Sequence, residues 1–148
     1  MSYLMKNYQN VSLFFAAPKE YQMKEDILEF LDNCKIPYFT VDSISEGLAD
    51  ADAIYMTRIQ DEWDGEKSVV HPPAQDNFIF KKQFLDIMKP SACLLHPLPK
   101  RDEIEDEVDY AKDPRVVYWR QERNGMWMRV AIIAKIFGCA DNITDFRL

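Results

Sequence analysis

VSLFFAAPKEYQMKEDILEFLDNCKIPYFTV, residues 11–41, carries two short runs rich in β-branched and aromatic residues, separated by a longer segment with a different period. VSLFFAA and IPYFTV read as strands, the first stopped by Pro18. Between them, in EYQMKEDILEFLDNC, Met23, Ile27, Phe30, Leu31 and Cys34 recur at three- and four-residue spacing, the apolar stripe of an amphipathic helix. Strand, helix, strand is a βαβ unit, and the rest of the chain repeats the pattern.

Downstream, Ser43 with Glu46 three residues later forms a capping-box signature for a short helix, ISEGLA. AIYMT is a third strand, FIFKKQFLDIM a helix ended by Pro90, ACLL a fourth strand, and VVYW a fifth before a final helix opening at Asn124-Gly125. Upstream, SYLMKNY reads as the last turns of a helix with no strand before it. Short apolar strands followed by helices or crossing segments predict an α/β, doubly wound, mainly parallel sheet covered on both faces, Rossmann-like, in one domain over residues 1–148.

Composition narrows the function classes. Apolar residues make up 47% of the 148-residue chain, enough for a real core. A formal charge of −7 has the wrong sign for gripping a polyanion, so nucleic acid is not an expected partner. The three cysteines, Cys34, Cys93 and Cys139, are odd in number and far apart, which fits a reducing cytoplasm better than a disulfide framework. The most apolar stretch, MWMRVAIIAKIFG, is broken by Arg129 and Lys135, so no membrane segment is expected.

In open α/β sheets function sits at the carboxyl ends of strands. Two long connections leave such ends: RIQDEWDGEKSVVHPPAQDN after the third strand and HPLPKRDEIEDEVDYAKDPR after the fourth. Arg58 stands where a guanidinium can grip a carboxylate bidentately, with Gln60 able to add a neutral hydrogen bond; an arginine paired with a surface acid is the blander reading. In His96-Pro97-Leu98-Pro99 the prolines lack N–H groups and fix φ, leaving carbonyls suited to a ligand amine, or else only a rigid strand exit. His96 by itself reads as a turn or core histidine, and the carboxylates from Asp102 to Asp109 as a solvated acidic face. No metal site, glycine-rich phosphate loop, Gly-x-Ser-x-Gly or Cys-x-x-Cys is present in the sequence.

Together YMTRIQDEW, LLHPLPKRDEIEDEVD and DPRVVYWRQERNGMWMRVAIIAKIFG resemble, in order and spacing, the C-terminal half of the aspartate carbamoyltransferase family. HPLP separates that family from ornithine carbamoyltransferases, which carry a cysteine in its second place. The resemblance implies a cofactor-free transferase domain that binds L-aspartate, with carbamoyl phosphate held by a separate N-terminal domain, in the first committed step of pyrimidine synthesis. By that likeness Arg58 and Gln60 hold aspartate carboxylates, while the backbone of Pro97, Leu98 and Pro99, with a cis Leu98–Pro99 bond, faces the carbamoyl group and the amine. Glu103 matches a residue that helps lock the closed state, and the loop around Asp61 to Asp76 one that swings on closure.

The sequence departs from the family at Asp61 and Trp63, where a lysine and an arginine are usual, and at Lys100, in place of an arginine. It also lacks counterparts of the carbamoyl phosphate domain and of the first strand of the aspartate domain. The resemblance therefore implies a half-site that is inactive alone, with exposed strand edges that favour homo-oligomers or association with other carbamoyltransferase subunits. A non-catalytic module pairing with full-length subunits, and a carbamoyltransferase for another amino acceptor, remain alternatives.

Overall fold

The computed structural model describes residues 1–58 and 76–142. The elements run α1 (Ser2–Met5), β1 (Leu13–Ala16), α2 (Glu25–Asn33), β2 (Tyr38–Val41), α3 (Ser45–Leu48), β3 (Ala53–Tyr55), β4 (Cys93–Leu95), α4 (Asp106–Tyr110) and α5 (Tyr118–Ile136), with short 3-10 turns between them. Every strand pairing is parallel, as the alternating pattern requires, and the α/β, Rossmann-like class holds. Among the described residues, however, the strands form two separate two-stranded sheets, β1 with β2 and β3 with β4, rather than one continuous sheet.

The βαβ unit of residues 11–41 is present as read. α2 buries Leu31 completely, and α1 docks on it through Tyr3, whose ring meets that of Phe30 edge-on at 4.5 Å. Gln22 clamps the carboxyl ends of β1 and β2, its Nε2 donating to the carbonyls of Ala17 at 2.7 Å and Val41 at 3.3 Å. The capping box expected before α3 does not form: the N-cap is Ile44, with no side-chain cap, while Ser43 Oγ accepts from the Ser45 N–H and Glu46 Oε1 from the Asp42 N–H.

Three elements differ from expectation, each because a distant contact outweighs a local signal. FIFKKQFLDIM is not one helix, because Phe80 forms a bridge with Ile104 that holds its backbone extended. The Phe80 N–H donates to the Glu103 carbonyl at 2.8 Å, and the Phe80 carbonyl accepts from Glu105, leaving a 3-10 turn at Lys82–Asp86. VVYW is not a strand: Val116 makes a single bridge to Leu94, and α5 begins at Tyr118, well before Asn124-Gly125. The segment after β4 is not a loop throughout, since it contains α4.

The main core lies around β3 and β4, where Phe80, Leu94, Ile104, Val108 and Tyr118 are shut off from solvent. The β1–β2 side is thinner, and Phe14 and Phe39 stack at 5.0 Å while both remain exposed.

Candidate functional site

β3 and β4 pair in register, Tyr55 opposite Leu95. Arg58 and Leu98 each stand three residues beyond that pair, so parallel pairing carries the guanidinium and the proline turn out of the sheet side by side. Arg58 is half-buried and lines a cavity of about 820 Å³ together with Glu103. Pro97 and Pro99 are exposed and Leu98 is half-buried, outside the lining of that cavity. Gln60, and the loop from Asp61 through Gln75 with Trp63 and His71, lie outside the described residues.

The turn itself is held from three directions. The Leu98–Pro99 bond is cis, as the resemblance implies, and Leu98 has φ 55°. The Leu98 N–H donates to His96 Nδ1 at 2.9 Å, so Nδ1 is bare and the ring proton sits on Nε2, 2.7 Å from Glu103 Oε1. Both side chains are buried, His96 completely, and Glu103 Oε1 also accepts the Arg101 N–H at 2.9 Å. From the far side α5 contributes Gln121, whose Oε1 accepts the His96 N–H at 3.0 Å. His96 is thus the oriented turn histidine that the sequence suggested.

The acidic run is not the uniformly solvated face it resembled. Glu103 is buried, and Asp109 is drawn into a cluster with Lys100, Tyr118 and Trp119. Lys100 Nζ reaches Asp109 at 2.8 Å and Asp106 at 2.9 Å; the buried Tyr118 hydroxyl donates to Asp109 in a short hydrogen bond. Burial pushes the Asp109 carboxyl up, but hydrogen bonds from Lys100 and Tyr118 outweigh it and leave the group below its ordinary value. Burial pulls Lys100 down, and its two carboxylates more than restore it, so its ammonium is held above the usual lysine range. Tyr118 is pushed well above an ordinary tyrosine, by burial first and by Asp109 second. This cluster stiffens the segment that follows the turn.

Sequence reasoning missed Gln121, Lys100 and Asp109 as supports of the turn, because their partners are set by tertiary pairing and leave no local motif. Among the described residues no set of His, Cys, Asp or Glu converges as a metal site, and no helix is long and apolar enough to cross a membrane.

The sequence and fold of the chain recur in known proteins. Residues 2–136 match the family model "Aspartate/ornithine carbamoyltransferase, Asp/Orn binding domain". The chain is 38% identical over 133 residues to aspartate carbamoyltransferase 1, chloroplastic, of Pisum sativum, covering 90% of this chain and 34% of that protein. It is 34% identical to the aspartate carbamoyltransferase catalytic subunit of Clostridium novyi, covering 43% of it. Among solved structures, the catalytic subunit of M. jannaschii aspartate transcarbamoylase superposes with a TM-score of 0.79 at 29% identity, over 97% of this chain and 44% of that one. The Trypanosoma cruzi enzyme in complex with carbamoyl aspartate and phosphate gives a TM-score of 0.72 at 28% identity, over 88% and 40%. The chain spans less than half the length of these relatives. It belongs to the aspartate/ornithine carbamoyltransferase family, and the part of the family it matches is the Asp/Orn binding domain.

Proposed function

We propose that the chain, as a single unit over residues 1–148, supplies the L-aspartate half-site of an aspartate carbamoyltransferase, with carbamoyl phosphate bound by a separate unit. The observation that carries this is the pairing of strand exits: Arg58 leaves β3 beside the point where the Pro97-Leu98-Pro99 turn leaves β4. A guanidinium there takes a substrate carboxylate in a fork, and carbonyls fixed by a proline turn suit an amine. Gln60 adds a neutral hydrogen bond to the same carboxylate. Glu103, buried against His96 and lining the cavity with Arg58, is the group through which closure over the substrate is felt.

In the reaction the aspartate amine, having lost a proton to solvent, attacks the carbamoyl carbon; the new C–N bond forms, the bond to the phosphate oxygen breaks, and the second proton of the nitrogen departs with the leaving phosphate. The part played by this chain is positioning the amine and stabilising the positive charge that grows on it. Turnover then requires the unit that holds carbamoyl phosphate, contributed by another carbamoyltransferase subunit.

Isothermal titration of L-aspartate and of succinate into the chain, with Arg58→Ala beside it, tests the reading. Both dicarboxylates should bind the chain, and the variant should bind them about tenfold or more weakly, the effect of losing a charge-assisted hydrogen bond. Equal binding by the variant removes Arg58 from the site, and binding of neither ligand ends the proposal.

A further inference from the structure

The carboxyl end of β4 is anchored by a rung made differently from the rest of its ladder. Leu94 bonds to the segment before α5 as a strand bonds to a parallel neighbour: its N–H donates to the Arg115 carbonyl at 2.8 Å and its carbonyl accepts from the Val117 N–H at 3.0 Å. The next rung of that ladder would join the His96 N–H to the Val117 carbonyl. That carbonyl is turned into α5 instead, where it accepts the Gln121 N–H at 2.8 Å. Gln121 then returns an acceptor through its side chain, its Oε1 taking the His96 N–H at 3.0 Å. One residue thus closes the first turn of α5 with its backbone and stands in for the lost strand carbonyl with its amide.

The N–H that Gln121 holds belongs to the same rigid peptide unit as the Leu95 carbonyl, which accepts the Met56 N–H at 2.9 Å. In a trans peptide the two groups point opposite ways, so this unit is a crossbar from β3 to α5. Met56 stands two residues before Arg58, and His96 two before Leu98, whose N–H donates to His96 Nδ1 at 2.9 Å. The tilt of one peptide plane therefore sets where the guanidinium and the turn carbonyls stand relative to each other. Gln121 is half-buried and His96 is 1% exposed, so an N–H released by Gln121 meets no water unless the peptide turns.

We propose that Gln121 is a positioning residue that sets the selectivity of the half-site for a dicarboxylate bearing an amine, by fixing the tilt of the Leu95–His96 peptide. It is not part of the lining of the cavity that Arg58 and Glu103 share, so it acts through the peptide rather than on the ligand. The inference rests on the aspartate half-site reading. There the ligand carboxylate is held by Arg58, on the β3 side of the crossbar, while the amine reads the turn carbonyls at its other end. With the acceptor removed, the His96 N–H swings toward another partner and the turn carbonyls move with it. The loss then falls on the amine contact and spares the carboxylate grip.

The test is isothermal titration of L-aspartate and of succinate, which has two carboxylates and no amine, into the chain and its Gln121→Leu and Gln121→Glu variants. Gln121→Leu should weaken L-aspartate about tenfold, the loss of one charge-assisted hydrogen bond, and change succinate less than about twofold. Gln121→Glu keeps an oxygen for the His96 N–H, so it should return the ratio of the two affinities to the wild-type value even where its added charge weakens both ligands. Amide exchange of Leu98 should be about tenfold faster in Gln121→Leu, with that of Phe15 in the β1–β2 ladder unchanged. Should Gln121→Leu fail to fold, Gln121→Asn, whose amide falls one methylene short, carries the same comparison. An equal loss of both ligands makes Gln121 a merely structural support and overturns the proposal, as does an unchanged affinity for L-aspartate or a ratio that Gln121→Glu does not restore. A wild-type chain that binds neither ligand ends the half-site reading and this inference with it, whereas wild-type binding with an unaltered ratio in Gln121→Leu overturns this inference alone.

Discussion

His96 ties three parts of the molecule together. Its Nδ1 takes the Leu98 N–H, its Nε2 faces Glu103, and its backbone N–H is accepted by Gln121 on α5. A few residues further on, Lys100 and Asp109 close the same segment from outside, and their ionisation makes that closure depend on pH. The Asp109 carboxyl is held below the ordinary aspartate value of 3.8 in the folded chain, so its contribution is present above that value and is lost as pH falls through the lower folded one. Lys100 and Tyr118 are raised in the folded chain, so their contributions are complete below about 10 and are lost as pH rises through the folded values. Asp109→Asn should therefore cost about 1–2 kcal/mol at neutral pH, the loss of a charge-assisted pair. Near pH of about 3 and below, where the wild-type carboxylate is also being neutralised, the difference should shrink. Urea unfolding of both proteins at the two pH values measures this; a gap that persists on acidification means the Lys100 pair contributes nothing and only the shape of the side chain matters.

Among elements, α3 shows how a missing side chain sets packing. A Cβ built on Gly47 would lie 2.8 Å from Phe14 Cδ1 and 3.3 Å from Phe14 Cβ, so the helix closes onto β1 only because position 47 carries no side chain. Gly47→Val should destabilise the chain by about 1–3 kcal/mol, as overpacking does. Gly125→Ala in α5, where the nearest atom is the Arg129 guanidinium at 3.7 Å, should instead stabilise by about 0.5–1 kcal/mol through helix propensity. Unfolding midpoints of the two variants moving in the same direction would contradict this contrast. The elements that were legible in the sequence are those whose signals are local: the apolar stripe of α2 and the stop of β1 before Pro18. Those that were not legible depend on partners far along the chain. Phe80 is held by Ile104, Val116 by Leu94, and the buried Tyr118 draws the start of α5 ahead of a stronger local helix signal at Asn124-Gly125. The site divides the same way. Arg58 and the proline turn announce themselves by residue type and place, whereas the grip of Gln121 and Glu103 on His96 exists only after folding.

For the whole molecule, the half-site reading makes a demand on turnover. Carbamoyl phosphate is an anion that needs several donors or cations, and the chain carries a net charge of −7. Of the cations near the proline turn, Lys100 is already held by Asp106 and Asp109. The relatives in which the reaction is named have more than half of their length outside the matched region, 56% of it in the M. jannaschii subunit by subtraction of the 44% covered. The chain alone, supplied with L-aspartate and carbamoyl phosphate, should therefore form no carbamoyl aspartate above the uncatalysed rate, measured colorimetrically, and carbamoyl phosphate should give no heat on titration even where L-aspartate does. These two readouts together separate the possible causes of inactivity. Aspartate binding without carbamoyl phosphate binding describes an intact half-site waiting for its complement, while silence toward both ends the half-site reading. Turnover that saturates in both substrates and falls with Arg58→Ala would place the entire reaction in this chain, and the division of the site between two units would have to be abandoned.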